Sequence, residues 1–118
     1  MHLISNNGTA AANITATVQV IDAEALFCGS SGGCSSTTNA LVSIGAADNE
    51  VGSCTGLPTS GTYNNVTTYN TNGTAALCNS LAFLDANDQI KTWVAFQVPR
   101  DATTGAKSLV IVYEAIAT

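Results

Sequence analysis

Charged side chains are scarce in this chain. Among 118 residues there are three Lys or Arg, eight Asp or Glu and one His, whereas charged residues make up about a quarter of a typical domain. The basic residues are Lys91, Arg100 and Lys107, too few to form the basic patch that a phosphate backbone requires. With a net charge of −5, neither a nucleic acid nor an anionic membrane surface is an expected partner.

Long apolar runs are missing as well. No segment approaches the roughly 20 apolar residues that span a bilayer, so direct membrane insertion is not expected. The first thirteen residues, MHLISNNGTAAAN, lack the charged start and apolar stretch of a signal peptide. If the protein is secreted, we expect a signal peptide to have been removed, or the chain to be a piece of a longer or split gene product. The surface must consist largely of Ser, Thr, Asn and Gly, which favours an extracellular or cell-surface location.

Residues for catalysis and metal binding are few. The single histidine is His2, and a Ser-His-acid triad or a Cys-His pair would depend on it. Asp85, Asn87 and Asp88 could offer oxygen ligands to calcium, but Asp and Asn are also good turn residues, and a plain hairpin turn is favoured. We therefore expect a non-catalytic protein without a metal or another cofactor.

Four cysteines, Cys28, Cys34, Cys54 and Cys78, are present. The gaps of five, nineteen and twenty-three residues between them do not match the two-residue spacing of zinc knuckles. An even count in a short chain predicts two disulfides. The sequential pairing, 28–34 with 54–78, is preferred because it closes two local loops, and the pairing 28–78 with 34–54 is the main alternative.

The segment CGSSGGC, residues 28–34, contains only Gly and Ser between its cysteines. It lacks the Lys and the following Ser or Thr of a phosphate-binding loop. We interpret it as a surface loop closed by a disulfide, in which glycines let the chain reverse direction within five residues.

Alternating polarity predicts mainly strands. Residues 13–20 alternate with a period of two, and further strands are predicted at 40–44, near 63–69, and at 81–84, 89–98 and 107–116. Residues 22–26 could form a helical turn or continue the strand, and extended structure is favoured. The long stretch 45–73 is expected to be mostly loop, closed by the 54–78 disulfide. The prediction is one all-β domain over residues 1–118, an antiparallel meander or β-sandwich with long disulfide-closed loops. Residues 1–12 are expected to form an extended N-terminal arm.

Two further groups of residues could carry function. Four Asn-x-Ser/Thr sequons offer possible glycosylation sites at Asn7, Asn13, Asn65 and Asn72, although several such matches arise by chance in a chain rich in Asn and Thr. Aromatic side chains could contact a sugar or a neighbouring subunit, and the candidates are Trp93, Tyr63, Tyr69 and Tyr113.

The second half of the chain resembles the globular head of bacterial pilins. The resemblance rests on LAFLDANDQIKTWVAFQVP and AKSLVIVYEA, on Cys54 and Cys78, and on the Thr- and Asn-rich loop between them. Type IV pilins begin with a long apolar helix, which this chain lacks. The resemblance therefore implies either a separate helical pilin chain or assembly by strand exchange.

These observations lead to two hypotheses. The first is a structural subunit of an extracellular, pilus-like filament or a surface layer, whose partners are further copies of itself and a helical pilin chain. In strand exchange, the assembly strand would present Asn13, Ile14, Ala16, Val18 and Val20 to the next copy. The second hypothesis is a secreted module that binds carbohydrate or another surface.

Overall fold

Two antiparallel four-stranded sheets pack into a β-sandwich in this computed structural model. The structure describes residues 1–20, 22–35, 40–56, 63–67 and 73–118, and for 63–67 the description covers the backbone alone. The all-β prediction is confirmed, and so is the sequential disulfide pairing, since bonds join Cys28 to Cys34 and Cys54 to Cys78.

Eight strands and one short helix make up the described elements. In chain order they are β1 (His2–Ser5), β2 (Ala12–Val18), α1 (Ala23–Cys28), β3 (Leu41–Asp48), β4 (Cys54–Thr55), β5 (Tyr63–Thr67), β6 (Ala75–Leu81), β7 (Gln89–Gln97) and β8 (Ile111–Ala117). The first sheet has the order β1-β7-β3-β5, and the second has the order β4-β6-β2-β8. β6 and β8 belong to the second sheet and β7 belongs to the first. These three consecutive strands therefore do not form a simple meander.

The core forms where the inner faces of the sheets meet. On β2, Ile14, Ala16 and Val18 are buried, as their alternation with polar residues predicts. The other large buried apolar side chains come from α1, β3, β6 and β7: Phe27, Val42, Ile44, Leu77, Leu81 and Ile90. An extended arm is expected at residues 1–12. Part of this segment, His2–Ser5, forms β1, which pairs with β7 from His2↔Thr92 to Ser5↔Gln89.

The expectation of extended structure at residues 22–26 is wrong. The structure has helix α1 at Ala23–Cys28, because local capping groups outweigh the absence of a long amphipathic pattern. The Asp22 carboxylate accepts a hydrogen bond from the Ala25 N–H at 2.8 Å, an N-cap. Gly29, at φ 85°, ends the helix in the left-handed conformation that favours glycine.

Other boundaries also differ from the prediction. The strand predicted at 81–84 is instead β6, at Ala75–Leu81, and the strand predicted at 107–116 begins only at Ile111. The loop between β7 and β8, residues 98–110, connects the first sheet to the second. Among the described residues, no helix is long and apolar enough to cross a bilayer.

Candidate assembly surfaces

The disulfide loop at residues 28–34 is held in place by two buried carboxylates that come just before it. Asp22 accepts a hydrogen bond from the Ser31 hydroxyl, and Glu24 accepts one from the Gly32 N–H. Both acids are almost fully buried. The loop is therefore a fixed structural feature at this end of the sandwich, and its shape comes from α1 as well as from the disulfide.

A metal site at this loop does not fit the chemistry of its donor atoms. The Sγ atoms of Cys28 and Cys34 and a carboxylate oxygen of Asp101 lie within 4.8 Å of one another. Both sulfurs are bonded to each other at 2.04 Å, whereas a metal is bound by thiolates. Asp101 instead accepts hydrogen bonds from the N–H and hydroxyl of Ser35, at 2.5 and 2.8 Å.

An apolar groove opens between the sheets beside α1. It has a volume of about 670 Å³, and His2, Lys107 and other residues line it. Its principal apolar side chains come from α1, from β7 with the residue after it, and from the region leading into β8: Phe27, Val94, Phe96, Val98, Leu109 and Ile111. The backbone and hydroxyl of Thr103 donate hydrogen bonds to the Phe27 carbonyl oxygen at 2.9 and 3.2 Å, which fixes the loop 98–110 against the helix.

The groove exists because the inner face of β7 is only half covered. Ile90 and Thr92 point inward and have no exposed surface, whereas Phe96 and Val98, farther along the same face, are 55% and 59% exposed. β1 pairs with β7 only from Ser5↔Gln89 to His2↔Thr92, so beyond Thr92 the described structure has no β1 partner along this edge of β7. The first half of this face of residues 89–98 therefore belongs to the core, and its second half meets solvent.

The second assembly feature is the free edge of β8. All seven residues of β8 pair with β2, from Ile111↔Val18 to Ala117↔Ala12, without a bulge. Within the described part of the chain, no strand pairs with the other edge of β8. Proteins usually protect such edges with Lys, Pro, a bulge or a short length. β8 has none of these devices, and it exposes Val112 and Ile116 beside its single charge, Glu114.

The predicted assembly strand lies inside its own molecule. Asn13, Ile14, Ala16 and Val18 belong to β2, which is paired on both sides, with β6 and with β8. Val20 follows the strand and is half-buried. The apolar side chains that strand exchange would offer to another copy fill the molecule's own core, so among the described strands β2 has no free edge, whereas its neighbour β8 has one.

The candidate aromatic residues do not form one cluster. Trp93 is half-buried on the outer face of β7, where the Lys91 ammonium lies 5.7 Å from its ring centroid. Tyr113 instead lies between the sheets, and its hydroxyl is 3.1 Å from His2 Nδ1 and 3.3 Å from the Thr92 hydroxyl. Tyr63 is in β5, and Tyr69 lies outside the described residues.

The candidate glycosylation sites differ in position. Asn7 is exposed in the loop between β1 and β2, whereas Asn13 lies within the central strand β2 and is half-buried. Asn65 is in β5, and Asn72 lies outside the described residues. Of the two sequon asparagines whose side chains the structure describes, Asn7 has the accessible loop position that a glycan requires.

Acidic residues gather at the end of the sandwich opposite α1. The backbone N–H of Asp88 donates to Glu50 Oε2 at 2.9 Å. Burial of Asp88, and then the charges of Glu50 and Asp85, raise the pKa of the Asp88 carboxyl above its usual value. The segment 84–88 forms a turn, in which the Asn87 N–H donates to the Leu84 carbonyl at 2.8 Å.

No protein-family model, no curated protein and no solved structure matches this chain. The argument for function therefore rests on its own surfaces. The sequence indicated the buried and exposed faces of β2 and β7. It did not indicate α1, the groove or the acidic end, although the Asp22 cap and Gly29 were signals that could have located the helix.

Proposed function

We propose that this protein is a non-catalytic structural subunit of an extracellular, pilus-like filament or surface layer. The observation that carries the proposal is the unprotected edge of β8, a regular seven-residue strand paired on one side only among the described residues. Such an edge offers backbone N–H and C=O groups to a strand of another chain. The low charge supports the proposal, because copies of the chain repel one another weakly.

The two disulfides are typical of proteins in a non-reducing environment and support the proposal. An extracellular or cell-surface location is the environment that suits both the disulfides and a filament. The partner is a second copy of this chain, and a separate helical pilin chain is a further component under the same proposal.

Electron microscopy and protein analysis of native material test the proposal directly. Filaments that contain this chain support it, and mass spectrometry of those filaments shows whether a second polypeptide is present. Preparations that contain only monomers at every protein concentration would contradict it.

The role of the β8 edge is tested by the double variant Val112→Lys and Ile116→Lys. Lysine protects sheet edges in natural proteins, so we expect assembly to be lost while the monomer keeps its fold. The matched control is Thr15→Lys with Thr17→Lys, on β2 opposite Glu114 and Val112, which places the same two charges on the same sheet face one strand away from the edge. Equal assembly by both variants would remove β8 from the interface.

The alternative function, binding of carbohydrate or another surface, is favoured by one observation. Trp93 lies on the outer face of the first sheet, and the backbone of Tyr63 occupies the same register row, separated from it by Gly45. Aromatic rings on an open sheet face can stack on sugars. A monomer whose tryptophan fluorescence changes on addition of glycans, and which never assembles, would favour this function over the filament.

A further inference from the structure

The molecule is elongated, and its two ends differ. Its principal extents are 48 × 22 × 22 Å. Four strands side by side and two sheets about 10 Å apart account for the short dimensions, so the long axis runs along the strands. β7 begins at Gln89 beside the acidic turn and ends at Gln97 beside the groove. The acidic turn and the groove therefore lie at opposite ends of the long axis.

The acidic end carries exposed apolar side chains. It is formed by the loop after β3 and the loop before β7, which the Ala82 N–H joins to the Ser53 carbonyl at 2.8 Å. Val51 is 97% exposed and Leu84 is 62% exposed, and Phe83 beside Leu84 is also exposed. Asp85 is exposed next to them. We call this projection, residues 50–51 and 83–85, the acidic knob.

The groove at the other end has a basic border. Arg100 and Lys107 lie in the loop 98–110, and Lys107 lines the groove itself. Both side chains are exposed, and Lys107 therefore places a positive charge at the apolar groove. Asp101, the one acid of this loop, is directed to Ser35 by two hydrogen bonds.

We propose that the acidic knob of one copy docks in the groove of the next copy. Val51, Phe83 and Leu84 would cover the exposed parts of Phe96 and Val98, and Asp85 with Glu50 would approach Lys107 and Arg100. The occupant is a second copy of this chain because both ends expose apolar side chains, and the exposed Lys107 at the groove is opposite in charge to the exposed Asp85 of the knob. The inference rests on the proposed function, namely that copies of the chain assemble.

A contact between unlike ends does not close on itself. Each copy keeps a free groove at one end and a free knob at the other, so the contact is heterologous, and its repetition gives an open filament unless the rotation closes a ring. The β8 edge would then add lateral contacts between such rows. Because exposed charge pairs are screened by salt, the axial contact should weaken as ionic strength rises, while its apolar part remains.

Two variants test the contact, one at each end. Leu84→Asp removes the knob and keeps the groove, whereas Phe96→Asp removes the groove and keeps the knob. Both side chains are largely exposed, so we expect the variants to fold, with circular dichroism and thermal unfolding as the check. The matched control is Leu3→Asp, since Leu3 is 52% exposed on the side of the molecule. Each end variant should lose filaments by electron microscopy, and the control should keep them.

Mixing the two end variants gives a sharper result. The intact knob of Phe96→Asp can dock only in the intact groove of Leu84→Asp. Sedimentation of the mixture should therefore show a heterodimer in a one-to-one ratio, while each variant alone does not form it. Absence of the heterodimer, or filaments that survive either substitution, would overturn the end-to-end contact.

Exchange of charge tests the orientation. Lys107→Glu and Asp85→Lys should each weaken assembly, and the chain that carries both should recover it, because the exchanged charges again face each other. A photo-crosslinking amino acid at position 96 should join the groove to residues 82–88 of another copy. A crosslink to a different polypeptide, such as a helical chain, would assign the groove to that partner and overturn this inference.

These outcomes separate the two proposals. Native material that is monomeric at all concentrations contradicts the filament and the end-to-end contact together. Native filaments that tolerate Leu84→Asp and Phe96→Asp contradict the end-to-end contact alone and leave the filament proposal standing.

Discussion

Phe27 and Phe96 meet edge to face at the floor of the apolar groove, with ring centroids 6.4 Å apart and planes at 87°. Phe27 is buried by α1 and the loop 98–110, whereas Phe96 is more than half exposed on β7. One ring thus belongs to the core and the other to the surface. The pair lies at the boundary between the buried core and the solvent-exposed groove.

This difference predicts unequal effects of truncation. Phe27→Ala should lower the free energy of unfolding by about 3–5 kcal/mol, because it leaves a cavity in the core. Phe96→Ala should cost only about 1 kcal/mol, close to the value of an aromatic pair. Urea denaturation of both variants measures the difference, and equal losses would contradict the assignment of Phe96 to the surface.

The N-cap of α1 should stabilise both the helix and the disulfide loop. Asp22→Ala removes the acceptor for Ala25 N–H and for the Ser31 hydroxyl, and we expect a loss of about 1–2 kcal/mol. Asp22→Asn keeps an oxygen acceptor for the cap and serves as the control. If Asp22→Asn lowers the free energy of unfolding as much as Asp22→Ala does, the N-cap hydrogen bond is not the source of the lost stability. Urea denaturation measures all three proteins.

The two disulfides should contribute unequally to stability. The Cys54–Cys78 bond links residues 24 positions apart and the Cys28–Cys34 bond residues 6 apart. On the loop-entropy model, the longer loop contributes about 3–4 kcal/mol and the shorter about 2 kcal/mol. Replacing each pair by alanines and measuring the free energy of unfolding checks this order. A larger loss from the shorter loop would indicate that contacts of α1 and Asp22, rather than chain entropy, dominate there.

The raised pKa of Asp88 should make stability depend on pH in a defined direction. Burial, Glu50 and Asp85 raise this pKa above 3.8 in the folded chain, so the folded state binds the proton more tightly than the unfolded state. The contribution of Asp88 to stability is therefore fully present below the unfolded-state pKa and is lost as pH rises through the folded-state pKa. As pH rises from the unfolded-state pKa to the folded-state pKa of Asp88, the native protein should lose stability relative to Asp88→Asn.

Urea denaturation at a series of pH values measures the effect of Asp88. Glu50→Gln is the informative control, because it keeps an oxygen to accept the Asp88 N–H while it removes a charge that raises the pKa. The pH interval between the unfolded-state and the folded-state pKa of Asp88 should then become narrower. A stability difference between native protein and Asp88→Asn that does not vary with pH would contradict this account.

Several features of the fold could be read from local patterns. The alternation of Ile14, Ala16 and Val18 with polar residues predicted β2 and its buried face, since side chains of a strand point alternately to its two sides. The cysteine spacing predicted two local loops, and both disulfides are as preferred. The turn at 85–88 followed from its Asp and Asn residues. These are short-range signals, decided within a few residues of chain.

Two predictions from local patterns were wrong, one at residues 22–26 and one at the start of the last strand. Residues 22–26 were expected to be extended, yet Asp22 and Gly29 cap a six-residue helix. The segment from 107 was expected to be strand, yet pairing begins only at Ile111, because Val18 is the last residue of β2 that it meets. The end of a strand is set by its neighbour, and the neighbour is distant in sequence.

The sequence by itself determined an all-β chain of low charge, with alternating strands and two local disulfides, because these depend on residue type and spacing. Only the tertiary structure decided which apolar residues remain exposed. Ile90 and Phe96 occupy the same face of one strand and carry similar sequence signals, but Ile90 is fully buried in the core and Phe96 is 55% exposed beyond the part of β7 that pairs with β1. The groove, the acidic knob and the free edge of β8 all arise from such long-range pairing, which no local pattern encodes.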